Sequence, residues 1–256
     1  MIPPMRTRSA FTLVELSIVL VILGLLVGGV LAGQGLLKAA ALRATAQQFT
    51  DIQRQFTQFQ DKFSGIPGDF NMASQYFTGV ANGNGNGWVE TASATGYGVN
   101  SPDQGAYDGE RAQFFVHISK AGLSPEQYDG SNVPGRGLPA VKIAPTDAIF
   151  ATGPWDTTGG GNFGIDTWMR SHLYVAMMAC NPSQLTPGNS LHNDCGIFSP
   201  DEAASIDSKI DDGFPFTGKV IGHYYEGPGT VNCFSGQNYN LASSNKTCNL
   251  AFELMH

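Results

Sequence analysis

Phe11-Thr12-Leu13-Val14-Glu15-Leu16 opens an apolar run that continues to Leu37, with Glu15 as its single charge and Lys38 as the next charged residue. A run of this length is ample for a membrane-spanning helix. A carboxylate five residues into it costs on the order of 2.5–3.5 kcal/mol in hydrocarbon and marks a functional position in need of a partner. Ahead of the run stands a short basic leader, Met1–Ala10, carrying Arg6 and Arg8.

Beyond Leu37 the helical pattern persists. Leu42, Thr45 or Ala46, Phe49, Ile52, Phe56, Phe59 and Phe63 recur at steps of three and four, one apolar stripe on one helix face. No proline falls between Pro4 and Pro67, and Gly65 and Pro67 supply the stop. The reading is one helix from Phe11 to about Phe63, roughly 80 Å at 1.5 Å per residue. The bland alternative is two helices with a break at Gly33-Gln34-Gly35. The sequence thus divides into a leader (1–10), a transmembrane half-helix (11–37), an amphipathic half-helix (38–65) and an exported globular domain (66–256). Gly24/Gly28 and Gly29/Gly33 have the spacing of close helix packing.

Past Pro67 the composition turns to glycine, asparagine and aromatics, with 32 glycines in all. Short apolar stretches at Ala140–Ala144, Asp147–Ala151, Leu173–Ala179, Val220–Tyr225 and Leu250–Leu254 read as strands separated by long loops. A helix is expected from Asp108 or Gly109 to Gly122. A second begins at Ser199-Pro200-Asp201-Glu202, an N-cap serine with proline at the first helical position and glutamate at the capping-box position. The fold class expected is α+β: a long N-terminal helix, its first half transmembrane, packed on a C-terminal antiparallel sheet domain with elaborated loops.

Arg6 and Arg8 precede the membrane run, which by the positive-inside tendency leaves the amino end cytoplasmic and sends the bulk across a single-pass inner-membrane anchor. Lys38 and Arg43, on the far side, weaken that asymmetry. Without the leader, 12 basic residues face 21 acidic ones, a formal charge of −9. Such a surface argues against nonspecific nucleic-acid binding through net charge. Four cysteines, Cys180, Cys195, Cys233 and Cys248, all follow the membrane run, and no Cys-x-x-Cys spacing occurs. An even count in an oxidising compartment points to two disulfides. Three pairings are possible; Cys180–Cys195 and Cys233–Cys248 close the shortest loops.

The segment Ala10-Phe11-Thr12-Leu13-Val14-Glu15-Leu16 resembles the processing site of type IV prepilins and type II secretion pseudopilins. The resemblance implies cleavage by prepilin peptidase between Ala10 and Phe11, N-methylation of Phe11, and an assembly role for Glu15. Family members usually have glycine before the cut, where Ala10 stands here. Weaker resemblances to large prepilin-like proteins lie at Glu110–Leu123 and at Ile206–Gly213. The implied protein is a structural subunit, with other pilin or pseudopilin subunits as partners and its globular domain in the periplasm or in an extracellular filament. Physically, cleavage exposes an amine in lipid, and a staggered neighbour's Glu15 offsets the cost of burying either charge alone. The competing class is a membrane-anchored binding protein or adhesin that uses the helix as a tether.

Two further clusters hold candidate chemistry. Asn82, Asn84 and Asn86 place side-chain oxygens at alternate positions before Gly87, the front half of a calcium-loop pattern. Ser93 stands where the bidentate glutamate belongs, so Glu90 is the candidate carboxylate. A plain Asn-Gly turn is the competing reading, and the resemblance adds weight to Ca2+ because pseudopilins often hold it. Asp207, Asp211 and Asp212 crowd a helix C-terminus, the unfavourable end for acids, and ask for a compensating cation such as Lys209, an arginine or a metal; the favoured reading is a structural salt bridge or a cap on another segment, with calcium as the alternative. The five histidines, at 117, 172, 192, 223 and 256, have no paired metal-ligand spacing, and neither a Gly-x-Ser-x-Gly elbow nor a phosphate loop occurs. No enzymatic activity is expected. Trp88, Trp155 and Trp168 read as packing aromatics or as parts of a ligand-facing surface.

Overall fold

The computed structural model describes residues 12–89, 109–131, 133–152, 173–178, 196–224 and 233–255. The protein divides into two compact units, Met1–Ala41 and Leu42–His256. Helix α1, Leu13–Phe63, runs without a break through Gly33 and Gly35, so the two-helix alternative is not realised. Its 51 residues correspond to about 77 Å. The segment is long and apolar enough to cross a membrane, and its large apolar side chains from Leu13 to Leu37 are exposed. From Leu42 onward the expected stripe is buried: Leu42, Thr45, Ala46, Phe49, Ile52, Phe56 and Phe59, joined by Gln55. The helix ends where the backbone needs a left-handed residue, Ser64 at φ 52°. The following Gly65 lies so close to the Phe70 ring that a Cβ there would approach it to 2.7 Å.

The second unit is built on an antiparallel five-stranded sheet. Its strands are β1 (Ala140–Val141), β2 (Ala144–Thr152), β3 (Leu173–Met178), β4 (Val220–Tyr224) and β7 (Cys248–Met255), in the order β1-β2-β3-β7-β4. β5 (Phe234–Ser235) and β6 (Asn238–Tyr239) form a separate hairpin. Helices α2 (Ala73–Tyr76), α3 (Gly109–Lys120) and α4 (Pro200–Ile210) complete the fold. Register pairs such as Val175↔Phe252 and Ile221↔Ala251 place β7 between β3 and β4. The architecture is α+β, a long N-terminal helix followed by an antiparallel sheet domain.

Three details depart from the sequence reading. The stretch expected as one strand, Ala140–Ala144, is a turn: Val141 pairs with Ala144 across Lys142 and Ile143, so β1 folds straight back onto β2. Gln48 of α1 holds that turn, its Nε2 donating to Ala140 O at 2.7 Å and its Oε1 accepting from Lys142 N at 3.2 Å. The β5–β6 hairpin has no strand pattern to announce it. It turns on Gly236 at φ 63°, followed by Gln237, a glycine-first two-residue turn of the kind that matches strand twist. α2 is a single short helical turn with no apolar periodicity to betray it.

The core forms where the buried face of α1, α3 and the sheet meet. Phe49 stacks on Phe252 of β7, and Phe56 faces Phe114 of α3 at 6.3 Å between ring centroids. Phe59 is wholly buried among Phe63, Phe70, Phe77 and His117. Each fully buried phenylalanine contributes about 1.5–3 kcal/mol relative to exposure. Three such residues on one helix outweigh anything helix propensity supplies there. A disulfide, Cys233–Cys248, ties the β5–β6 hairpin to the start of β7, with its Cα atoms 5.2 Å apart. Cys180 and Cys195 lie outside the described residues.

Candidate functional site

The candidate site begins at the start of α1. Thr12 precedes the first helical residue and acts as its N-cap. Glu15 N–H donates to Thr12 Oγ1 at 3.2 Å, while the Glu15 carboxylate accepts from Thr12 N–H at 2.8 Å and from Thr12 Oγ1 at 2.9 Å. This is a reciprocal capping box: each side chain satisfies the other residue's backbone N–H at the helix end. The carboxylate also sits at the positive end of the helix dipole, where an anion is favoured. Glu15 therefore has a partner within its own molecule, Thr12. The Thr-x-x-Glu spacing is the sequence signal for that pair, and it is easily passed over beside the longer apolar run. Ala10 and Phe11, the expected scissile pair, lie outside the described residues.

The asparagine run folds around an anion. Asp69, in the turn after α1, is buried, and its carboxylate accepts Gly85 N–H at 2.6 Å, Asn86 N–H at 3.1 Å and Gly87 N–H at 2.7 Å. The three asparagine oxygens each accept a backbone N–H: Asn82 from Ser74 at 2.7 Å, Asn84 from Asn86 at 2.9 Å and Asn86 from Trp88 at 2.9 Å. Glu110 of α3 reinforces the loop by accepting from Asn84 N–H at 2.7 Å. Converging N–H groups around a carboxylate are opposite in polarity to a ring of oxygens around a cation. Glu90, the expected fourth calcium ligand, lies outside the described residues. Nothing local in the sequence points to Asp69, 18 residues before Gly87.

The three aspartates do converge. Ligand-type oxygens of Asp207, Asp211 and Asp212 lie within 4.8 Å of one another. Among the described residues their partners are neutral donors, backbone N–H groups of another segment among them, rather than a basic side chain. Asp207 is fully buried and accepts from Tyr239 Oη at 2.7 Å and Gly213 N–H at 3.1 Å. Asp211 accepts from the backbone N–H groups of Lys219 and Val220. Asp212 accepts from Phe214 N–H at 2.9 Å and Thr217 Oγ1 at 2.5 Å. Lys209 turns back to Ser205, donating to its carbonyl and hydroxyl oxygens. Gly218, at φ 74°, is required here, since a Cβ would collide with the Asp211 carboxylate. Burial pushes Asp207 up to about 7, against the lowering effect of its two hydrogen bonds.

His117, fully buried on α3, is a structural clip. Its Nδ1 accepts Gly68 N–H at 2.9 Å, and its Nε2 lies 3.0 Å from Ala81 O, which makes Nε2 the protonated nitrogen of a neutral ring. Burial lowers its pKa to about 4. A groove of about 380 Å³ runs between the Ala44–Gln55 stretch of α1 and the Ser124–Lys142 segment. Its charges pair with one another: Arg54 with Asp51 at 3.1 Å, and Lys142 with Glu126 at 3.7 Å.

Residues 5–31 match the family model of the prokaryotic N-terminal methylation motif. No curated protein and no solved structure matches this sequence.

Proposed function

From the premise that the sequence bears the N-terminal methylation motif typical of type IV prepilins and pseudopilins, we propose that the protein is a structural subunit of a type IV pilus or type II secretion filament. Prepilin peptidase cuts it between Ala10 and Phe11, and the long helix then serves first as an inner-membrane anchor and afterwards as the filament core. The role is architectural rather than catalytic. The amino end faces the cytoplasm, and the sheet domain lies in the periplasm or on the filament surface. The elaborated loops fit a minor or specialised subunit.

The observation that carries this reading is Glu15, the single charge between Phe11 and Leu37, at the head of a 51-residue helix. Its bonds to Thr12 present one carboxylate in a defined orientation at the helix tip. Cleavage places a new ammonium four residues away. A carboxylate pinned by its own helix cap is ready to meet the same group on a neighbour, at lower entropic cost than a free side chain.

Mass spectrometry of the mature protein tests the reading: methyl-phenylalanine at position 11 supports it, and retention of Met1 overturns it. Glu15→Ala, assayed for filament incorporation at unchanged membrane levels, separates a subunit from a tethered binding protein. Normal incorporation refutes the assembly role.

A further inference from the structure

The run Asn82-Gly83-Asn84-Gly85-Asn86-Gly87 consists of three consecutive Asn-Gly pairs. Asn-Gly is the dipeptide most prone to spontaneous deamidation, because glycine leaves the following backbone nitrogen sterically open. That nitrogen loses its proton and attacks the asparagine Cγ. A new N–Cγ bond closes a five-membered imide, the Cγ–Nδ2 bond breaks, and ammonia leaves with the proton. Water then opens the ring to aspartate or isoaspartate. The three asparagines are exposed, so water has access to each.

The fold requires these labile residues. A Cβ at Gly83 would lie 2.2 Å from the Asp69 backbone, and Gly85 and Gly87 have φ of 76° and 94°. Such left-handed positions favour glycine. The asparagines supply the oxygens that close the turns. The loop therefore concentrates a chemical hazard at one exposed place.

Each attacking nitrogen is also restrained. Gly83 N–H donates to Phe70 O at 3.0 Å. Gly85 N–H is shared between Asp69 Oδ1 and the Asp69 backbone oxygen, and Gly87 N–H donates to Asp69 Oδ2. An N–H bonded to a carboxylate is harder to deprotonate, and its lone pair is not directed at the neighbouring Cγ. The asparagine oxygens are held in their own hydrogen bonds, which resists the rotation that attack needs.

We propose that the Asp69 carboxylate, with Phe70 O, suppresses imide formation along this run, making Asn82, Asn84 and Asn86 modification sites that open only when the loop leaves Asp69. The geometry also ranks the sites. Replacing Asp69 by asparagine retains one carbonyl oxygen and loses the second acceptor. The retained oxygen serves Gly85 and Asn86, and Gly85 N–H also keeps its bond to the Asp69 backbone oxygen at 3.1 Å, so Gly87 is the nitrogen released, while the Phe70 bond to Gly83 stays in place.

The test is peptide-mapping mass spectrometry of the full-length protein incubated at mildly alkaline pH, beside a synthetic peptide of residues 80–90. The expected result is retention of all three amides in the protein while the peptide deamidates. In Asp69→Asn, loss of one charge-assisted hydrogen bond raises the rate at Asn86 by about ten- to a hundredfold, with Asn82 and Asn84 held by backbone acceptors and spared. Wild-type protein reacting as fast as the peptide overturns the proposal without reference to any variant. A D69N profile equal to wild type, or equal acceleration at all three sites, overturns the assignment to Asp69.

Discussion

Two buried groups titrate in opposite senses, and each masks the other's effect on stability in acid. His117 is neutral in the fold, with its pKa lowered to about 4 from 6.5 by burial. Between those values the unfolded state binds the proton and the native state does not, so stability falls as pH drops through the window. The loss amounts to about 3 kcal/mol. Asp207 behaves the other way. Burial raises it to about 7 from 3.8, so the native state binds the extra proton. Its contribution is fully present below about pH 4 and is lost as pH rises toward 7, about 4 kcal/mol in all. The windows overlap, and the two effects nearly cancel in the wild type.

Single substitutions break the cancellation. Asp207→Asn leaves a hydrogen-bonding amide beside Tyr239 and Gly213 but cannot titrate. The variant therefore exposes the His117 loss, and its melting temperature falls by about 6–12 °C between pH 6.5 and 4 relative to wild type. His117→Gln retains an acceptor for Gly68 and a donor for Ala81. It exposes the opposite slope, a gain on acidification over the same range. Thermal unfolding followed by circular dichroism on the full-length protein in detergent reads both. Parallel profiles for wild type and D207N would show that Asp207 is already ionised in the native state, and the reasoning would fail.

Three further outcomes follow from the packing. Phe59→Ala removes a wholly buried ring from among Phe63, Phe70, Phe77 and His117; denaturant unfolding should register a loss of about 3–5 kcal/mol. Reduction of Cys233–Cys248, which spans 15 positions, should cost about 3 kcal/mol, read as a lower midpoint in dithiothreitol than without it. Ser199→Ala removes one half of the capping box at the start of α4 and should cost about 1 kcal/mol in the same assay, with Glu202→Ala giving a non-additive double mutant.

Local periodicity makes much of this protein legible. The stripe from Leu42 to Phe59 specifies a helix face, and the core uses that face, because a 3.6-residue repeat of apolar groups has one low-energy way to leave water. The apolar run with its lone acid, the start of α4 and four of the strand segments are readable for the same reason: their signals lie within a few residues of one another. The charges around Asp207 defeat such a reading because compensation comes from Tyr239, 32 residues away, and from backbone N–H groups that bear no residue identity. Asp69 escapes notice for a similar reason, since its role depends on a loop arriving from downstream. Composition and spacing dictate which segments become helix or strand and which end is apolar enough to enter a membrane. Which buried carboxylate meets which donor is settled only by folding, since hydrogen bonds act over ångströms in space and are blind to separation along the sequence.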